Sequence, residues 1–349
     1  MASSIHPIQK IRTSIIGASG YTGEELCKVL SRHPYSHLSV VTSRQREGKR
    51  LDQEISGLHQ RSELRFTNPT PSALIDQADL FFLALPHGVA SEYAVPLHQA
   101  GKIVIDLSAD FRLKSAETYQ EFYQHPHPAP ELLRESVYAM PELYREQIKT
   151  KSLLACPGCY PTSILLALYP ALLHNLLDPE TIVINSLSGV SGAGKKAEES
   201  LLFCEVNESA KAYGVPQHRH LSEIEQEISF LVKKPVKVSF IPHLIPLHRG
   251  MWSSITCKLS KPKSIEIIHA LYQSTYQDEP FVRLVPLDQM PEMKNVVRSN
   301  RIEIGMKWDQ RTERLMLFST IDNLGKGAAT QAIQSFNIRM GLPETTGLE

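Results

Sequence analysis

Cys159 is the residue of this chain best placed for covalent chemistry. It stands in the run Ala155-Cys156-Pro157-Gly158-Cys159-Tyr160-Pro161-Thr162-Ser163. Leu153-Leu154-Ala155 reads as a short strand and Pro157-Gly158 as a sharp turn. Ile164, Leu165, Leu168 and Leu172 then line a helix that opens at Thr162. The thiol therefore falls where a strand passes into a helix N-terminus. Unpaired backbone N–H groups there favour a thiolate over a thiol. A thiolate held in this way is a nucleophile for an acyl carbon.

A second constellation offers acid–base chemistry. His218-Arg219-His220-Leu221-Ser222-Glu223 precedes an amphipathic helix with Ile224, Ile228 and Leu231 on one face. Ser222 and Glu225 form an S-x-x-E capping box, which puts His220 just outside the helix and Glu223 in its first turn. A histidine near a carboxylate can be held in one tautomer and move a proton. Two histidines in three residues could also be metal ligands, but no third and fourth ligand is evident, and no metal is expected.

The N-terminal third carries a separate signal. Ile11 to Ile16 reads as a buried strand running into Gly17-Ala18-Ser19-Gly20-Tyr21-Thr22-Gly23, and a helix follows with Leu26, Val29 and Leu30 on one face. The spacing G-x-x-G-x-x-G gains its meaning from that strand–loop–helix position, where backbone N–H groups cradle a pyrophosphate. A second strand, Leu38 to Thr42, ends in Ser43-Arg44-Gln45-Arg46. An NAD site places an acid there for the ribose 2′-OH. None is present, and a hydroxyl with a guanidinium suits a 2′-phosphate. NADP(H) is therefore expected, read by Ser43 and Arg44, with Arg46 able to share the contact. Leu80 to Leu85, ended by Pro86-His87-Gly88, and Lys102 to Leu107 continue the alternation. The result is an α/β unit whose parallel sheet is covered on both faces.

Beyond Cys159 the pattern changes. Val236 to Phe240 and Ser254 to Leu259 alternate with period two, as in a sheet with one wet face. An α+β unit follows from this. The expected division is 1–155 for the nucleotide-binding domain and 156–324 for the catalytic domain that carries the nucleophile. A helix within 325–349, with Ala329, Ile333, Phe336 and Met340, returns to the first domain. Two loops could bind anions. Ser186 to Lys196 is rich in small residues that let backbone N–H groups converge on an anion, or is simply a flexible loop. Pro242-His243-Leu244-Ile245-Pro246-Leu247-His248-Arg249-Gly250 offers cations, or is simply a proline-stiffened loop.

Composition narrows the class. Among 349 residues, Lys plus Arg and Asp plus Glu balance at 37 each, against a nucleic-acid partner. Five irregularly spaced cysteines fit a reducing cytoplasm rather than a disulfide framework. No stretch reaches the length of a membrane span, and no signal peptide is expected.

Together these runs resemble one family, the N-acetyl-γ-glutamyl-phosphate reductases. The resemblance rests on Gly17 to Leu26, Leu85-Pro86-His87-Gly88, Asp106-Leu107-Ser108-Ala109-Asp110-Phe111-Arg112, Pro157 to Thr162, Ser188 to Gly194, His218-Arg219-His220, Pro242-His243-Leu244 and Asp322-Asn323-Leu324-Gly325-Lys326-Gly327. It implies a Rossmann domain joined to a glyceraldehyde-3-phosphate-dehydrogenase-like catalytic domain, assembled as a homodimer or homotetramer. It implies NADPH-dependent reduction of a small-molecule acyl phosphate in arginine biosynthesis through a Cys159 thioester. By the same match His220 is the acid/base and Glu223 the acid that orients it, while Asn323, Pro86 and His87 lie near the nicotinamide. Ser191 and Gly192 are assigned to the cofactor, and Arg112, Ser188, His218 and Arg249 to the substrate. Cys156 departs from the family pattern and creates a C-x-x-C, which by itself would suggest a redoxin or zinc site. The rival readings are a related acyl-phosphate reductase, for aspartyl phosphate or a carrier-bound substrate, and an NADP-binding sensor without catalysis.

Overall fold

A computed structural model describes residues 10–58, 61–195 and 197–349. The N-terminal strands are β1 (Ile11–Ile16), β2 (Ser36–Thr42), β3 (Phe66–Thr67), β4 (Leu80–Leu83), β5 (Ile103–Asp106), β6 (Val137–Tyr138) and β7 (Leu153–Ala155). They form one parallel sheet in the order β3-β2-β1-β4-β5-β7-β6. All four residues of β4 are buried, because helices cover both faces. One face packs Phe82 against Leu26 and Leu30 of helix Tyr21–Leu30 and against Ile333 and Phe336 of helix Thr330–Arg339. The other packs Phe81 and Leu83 against Ala94 and Leu97 of helix Ala90–Gln99. The strand order reverses between β1 and β4, so a crevice opens at their carboxyl ends.

The second sheet contains β8 (Leu177–Gly189), β9 (Lys211–Ala212), β10 (Ser239–Ile245), β11 (Met251–Leu259), β12 (Val282–Leu284), β13 (Ile302–Asp309) and β14 (Arg314–Ile321). Its order is β12-β13-β14-β11-β8-β10-β9, with parallel and antiparallel neighbours mixed. The alternation expected at Ser254 to Leu259 is seen along β11. Ile184, Ile255 and Leu317 face the core shared with helix Cys159–Leu173. Trp252, Phe318, Met316 and Leu187 stand half-buried on the opposite face.

One strand differs from expectation. Val236 to Val238 precede the sheet, and Ser239–Ile245 forms β10 instead. Pro242 is tolerated there because it faces the short strand β9, where its carbonyl accepts from the Tyr213 N–H at 3.1 Å. The first four residues of the stretch read as a stiff loop, Pro242 to Ile245, are therefore strand, fixed by their register on β8.

Helix Cys159–Leu173 carries the chain from the first sheet to the second. It is apolar all round because it is buried on nearly every side. The chain returns through a π-helical turn, Gly325–Ala329, into helix Thr330–Arg339. Lys326, fully buried, donates to Glu142 Oε1 and Gln334 Oε1, each at 2.6 Å. Asn337 Oδ1 lies 3.0 Å from His33 Nε2, tying the last helix to the first helical turn region.

Candidate active site

A cavity of about 590 Å³ runs from the crevice at β1 and β4 to the start of helix Cys159–Leu173. At the crevice end, two of the three loop glycines are required by the protein itself. Gly17 has φ +87°, and a Cβ on it would lie 2.4 Å from the Ala84 carbonyl oxygen. A Cβ on Gly23 would lie 2.4 Å from the Gly17 carbonyl oxygen, closing the helix onto the strand. Gly20 is different. A Cβ there would meet only the Gly17 oxygen, at 3.8 Å, yet Gly20 lines the cavity with Ser19, Tyr21 and Thr22. Bare backbone at a helix N-terminus, with no neighbour that demands it, fits an anionic ligand approaching closely. Ala18 and Gly23 stand behind this surface.

Ser19 Oγ and Ser43 Oγ are 2.8 Å apart, joining the loop to the end of β2. Arg44 beside them is exposed, lines the cavity and has no carboxylate partner among the described residues. Arg46 is withdrawn from the contact expected of it. Its guanidinium lies 3.5 Å from Glu24 and 3.4 Å from Glu54.

The opposite wall comes from the second unit. Asn323 Nδ2 donates to Ser191 Oγ at 3.0 Å, and Asn323 Oδ1 accepts from the Gly250 N–H at 2.8 Å. These bonds hold Ser191 and Gly192 at the cavity. Lys195, a residue the motif reading left without a role, ion-pairs with Glu24 and lies 5.1 Å from the centre of the Tyr21 ring. The small-residue loop is thereby fastened across the glycine loop.

At the far end, Cys159 is the first residue of its helix, three positions earlier than the sequence suggested. Pro157 and Gly158 do not turn. Gly158 is extended at φ −68° and ψ 160°, and no bend occurs from Cys156 to Gly158. Cys156 is buried behind the strand end and Cys159 opens the helix, with no turn between them. The redoxin reading of C-x-x-C has no geometric basis here. Burial pushes the Cys159 thiol up to about 12, while the Tyr160 N–H and Arg112 pull the other way. The helix start thus moderates a thiol that desolvation keeps protonated, rather than presenting a ready thiolate.

His220 lines the same cavity. It is the first residue of helix His220–Val232, not a residue outside it. The capping box does not form, because Ser222 Oγ donates to the Arg219 carbonyl and Glu225 Oε1 accepts from the Val238 N–H. The imidazole presses against Gly158, where a Cβ would lie 2.5 Å from His220 Nε2. Burial, then the Arg112 and Arg219 cations, hold it well below the usual histidine range, so it is neutral. A neutral imidazole in the cavity, packed on the residue that precedes the thiol, is able to accept a proton.

Glu223 does not hydrogen-bond His220, since its Oε1 is 3.9 Å from Nε2. Its fully buried carboxylate accepts from Arg112 Nη1, the Tyr138 hydroxyl and the Gly158 N–H, each at 3.0 Å. Glu223 therefore positions the strand-to-helix passage itself. Arg112 also donates to the Cys156 carbonyl at 2.7 Å and the Leu107 carbonyl at 2.9 Å, so most of its fork serves the wall behind the nucleophile. Asp110, whose role was not legible, accepts from the Gly88 and Ser91 N–H groups at 2.6 and 3.0 Å and sets the turn at Pro86.

Of the remaining candidates, His218, Ser188, Arg249 and His87 do not line the cavity. His218 packs edge-on against Tyr160, Tyr213, His220 and Phe240, its Nδ1 accepting from the His220 N–H. Burial lowers it to about 3. Ser188 Oγ donates to the Gly189 carbonyl. Arg249, assigned to the substrate, instead clamps Asp322 at 2.8 Å and Glu25 at 3.3 Å. His87 stacks on His125 and meets Arg219 at the rim, while Pro86 lines the cavity. Among the described residues no group of His, Cys, Asp and Glu is arranged to hold a metal ion, and no helix is long and apolar enough to cross a membrane.

Comparison with known proteins agrees with this geometry. Residues 12–151 match the semialdehyde dehydrogenase NAD-binding domain, and residues 159–323 the semialdehyde dehydrogenase dimerisation domain. In solved structures the fold is similar to aspartate semialdehyde dehydrogenase II of Vibrio cholerae in complex with ASA. The TM-score is 0.72 at 18% identity, over 95% of this chain and 99% of that one. It is also similar to the Candida albicans aspartate semialdehyde dehydrogenase with NADP, at TM-score 0.70 and 13% identity over 95% and 99% of the two chains. The N-acetyl-gamma-glutamyl-phosphate reductase of Akkermansia muciniphila is 49% identical over 98% of this chain and 99% of its own length. That of Desulfotalea psychrophila is 48% identical over 97% and 98%. With both halves of the cavity, its cysteine and its histidine inside that full-length match, the chain belongs to the N-acetyl-gamma-glutamyl-phosphate reductase family.

Proposed function

We propose that the chain reduces N-acetyl-γ-glutamyl phosphate to N-acetylglutamate 5-semialdehyde, with release of phosphate, as a step of arginine biosynthesis. One observation carries the reading: a thiol at a helix start and a neutral imidazole line the same cavity as a bare glycine loop. NADP(H) fits that loop, with Gly17, Ser19, Gly20, Tyr21 and Thr22 about its phosphates and Ser43 and Arg44 at its 2′-phosphate. Pro86, Ser191, Gly192 and Asn323 then face its nicotinamide end. When bound, the cofactor supplies the hydride.

The chain's own residues do the rest. Cys159 Sγ forms a bond to the γ-acyl carbon, the C–O bond to phosphate breaks, and the thiol proton passes to His220. A thioester remains on Cys159. After its reduction, His220 returns the proton to the developing oxyanion. It takes that proton back as the C–S bond breaks, and the aldehyde leaves as the thiol reforms. Arg112 and Glu223 hold Gly158, and so the nucleophile, in place.

The proposed division is residues 1–155 with 325–349 for the cofactor and 156–324 for catalysis and assembly. Self-association as a homodimer or homotetramer is supported by the dimerisation-domain match and by the apolar outer face of the second sheet. Five free cysteines support a cytoplasmic setting.

The test runs the reaction backwards. N-acetylglutamate semialdehyde, phosphate and NADP⁺ should yield NADPH with wild-type protein. Cys159→Ser should abolish this and Cys156→Ser should keep most of it. Equal losses in the two variants would reject a single nucleophile.

A further inference from the structure

Cations around the cavity differ in how they are neutralised. Arg112 is paired with Glu223 at 3.0 Å, Lys195 with Glu24, and Arg249 with Asp322 at 2.8 Å and Glu25 at 3.3 Å. Arg44 lies beside Ser43 at the nucleotide end. Arg219 alone stands at the catalytic end, exposed, with no carboxylate in ion-pairing reach among the described residues. It immediately precedes His220, and its charge depresses the basicity of both His218 and His220. Its Nη1 lies 2.8 and 3.0 Å from the His87 ring nitrogens, and its guanidinium carbon sits 5.9 Å from the Tyr123 ring centre.

The arrangement leaves the charge open to a ligand. A guanidinium is permanently charged and matches a carboxylate with two parallel N–H bonds. Here its sides are an imidazole and an aromatic face, which orient it without satisfying its charge. The substrate assigned above carries one anionic group besides its phosphate, the α-carboxylate, four bonds from the carbon that Cys159 attacks. In the proposed reaction His220 serves that carbon, and Arg219 immediately precedes it in the chain.

Resting on the proposed reaction, we infer that Arg219 is the specificity-determining residue that binds the substrate's α-carboxylate, with His87 and Tyr123 holding its guanidinium in place. The enzyme then distinguishes an acylated amino acid from an acylated amine by this one contact. His87, expected beside the nicotinamide, acts on the substrate side.

The test compares two aldehydes in the oxidative direction: N-acetylglutamate semialdehyde and 4-acetamidobutanal, which is the same molecule without its carboxylate. Wild-type protein should favour the first in kcat/KM by about ten- to hundredfold, the effect of a charge-assisted hydrogen-bonded pair. Arg219→Gln should collapse this preference to within about threefold by weakening only the first aldehyde, and Arg219→Lys should restore part of it. The KM values for NADP⁺ and phosphate should stay within about threefold of wild type. Three outcomes would overturn the inference. The first is wild-type protein that oxidises both aldehydes without discriminating between them. The second is an equal loss of both aldehydes in Arg219→Gln, which is a structural effect. The third is a raised KM for phosphate in that variant with discrimination intact, which would assign the residue to the departing group. Wild-type protein that oxidises neither aldehyde would instead reject the reaction itself.

Discussion

A thiol pushed up to about 12 cannot wait as a thiolate at neutral pH. The proton must therefore be taken as the bond forms. His220 is suited to take it because burial keeps it neutral. His220→Asn should lower kcat by about 10²–10⁴ with little change in the KM for NADP⁺. The sign of the pH effect follows from the same burial. A histidine whose pKa is depressed loses its base function only when pH falls below the ordinary value near 6.5. The acid limb of kcat/KM for semialdehyde oxidation should therefore lie below pH 6.5, and a limb above pH 7 would point to a different base. At the other end of the cavity, Arg44 and Arg46 separate cleanly. Arg44→Ala should raise the KM for NADPH about ten- to hundredfold and leave NADH nearly unchanged. Arg46→Ala should show no such selectivity, because Arg46 is engaged with Glu24 and Glu54. Equal weakening of both cofactors by Arg44→Ala would remove it from 2′-phosphate recognition.

The elements matter through how closely they meet. Helix His220–Val232 brings its first residue onto Gly158, and the turn Gly325–Ala329 brings Gly327 onto Cys159, where a Cβ would lie 2.8 Å from Cys159 Cβ. Neither glycine has a positive φ, so their role is approach rather than backbone freedom. Gly158→Ala should displace the imidazole by a fraction of an ångström to an ångström and lower kcat about 10²-fold, with far-UV circular dichroism unchanged. Activity within twofold of wild type would show that the imidazole has room to move. These contacts explain what could be read in advance. The glycine loop, Ser43 and Cys159 announce themselves by strand, loop and helix signals within a few residues. Lys195 on Glu24 and Glu223 on Arg112 do not, for their partners are 171 and 111 positions away in the chain. The missed start of helix His220–Val232 has a similar cause. Ser222 looked like a cap, but packing of His218 against Tyr160 and Phe240 starts the helix earlier. The mistaken turn at Pro157-Gly158 came from composition alone, whereas Glu223 and Arg112 draw the backbone out straight.

On the scale of the molecule, two faces remain to be accounted for by assembly and by chain order. The outer face of the second sheet presents Trp252 beside Leu187 on β8 and Phe318 on β14, the Trp252 and Phe318 ring centres 5.7 Å apart. Trp252→Glu should shift the protein toward monomer in sedimentation velocity, with the catalytic cavity intact. An unchanged sedimentation coefficient would exclude this face as the contact. The last helix carries a different consequence. Ile333 and Phe336 fill the nucleotide unit's core against Leu26 and Phe82, and Asn337 ties down His33, yet they are the last of these parts to leave the ribosome. The unit whose strands are translated first must wait through the whole synthesis of the other before its interior can close. Until then Phe82 and Leu26 lack the cover that Ile333 and Phe336 give them. Translation therefore imposes a fixed order of maturation in which the nucleophile's unit can fold ahead of the cofactor's, and a polypeptide interrupted before Thr330 displays greasy surface that chaperones and proteases read as unfinished.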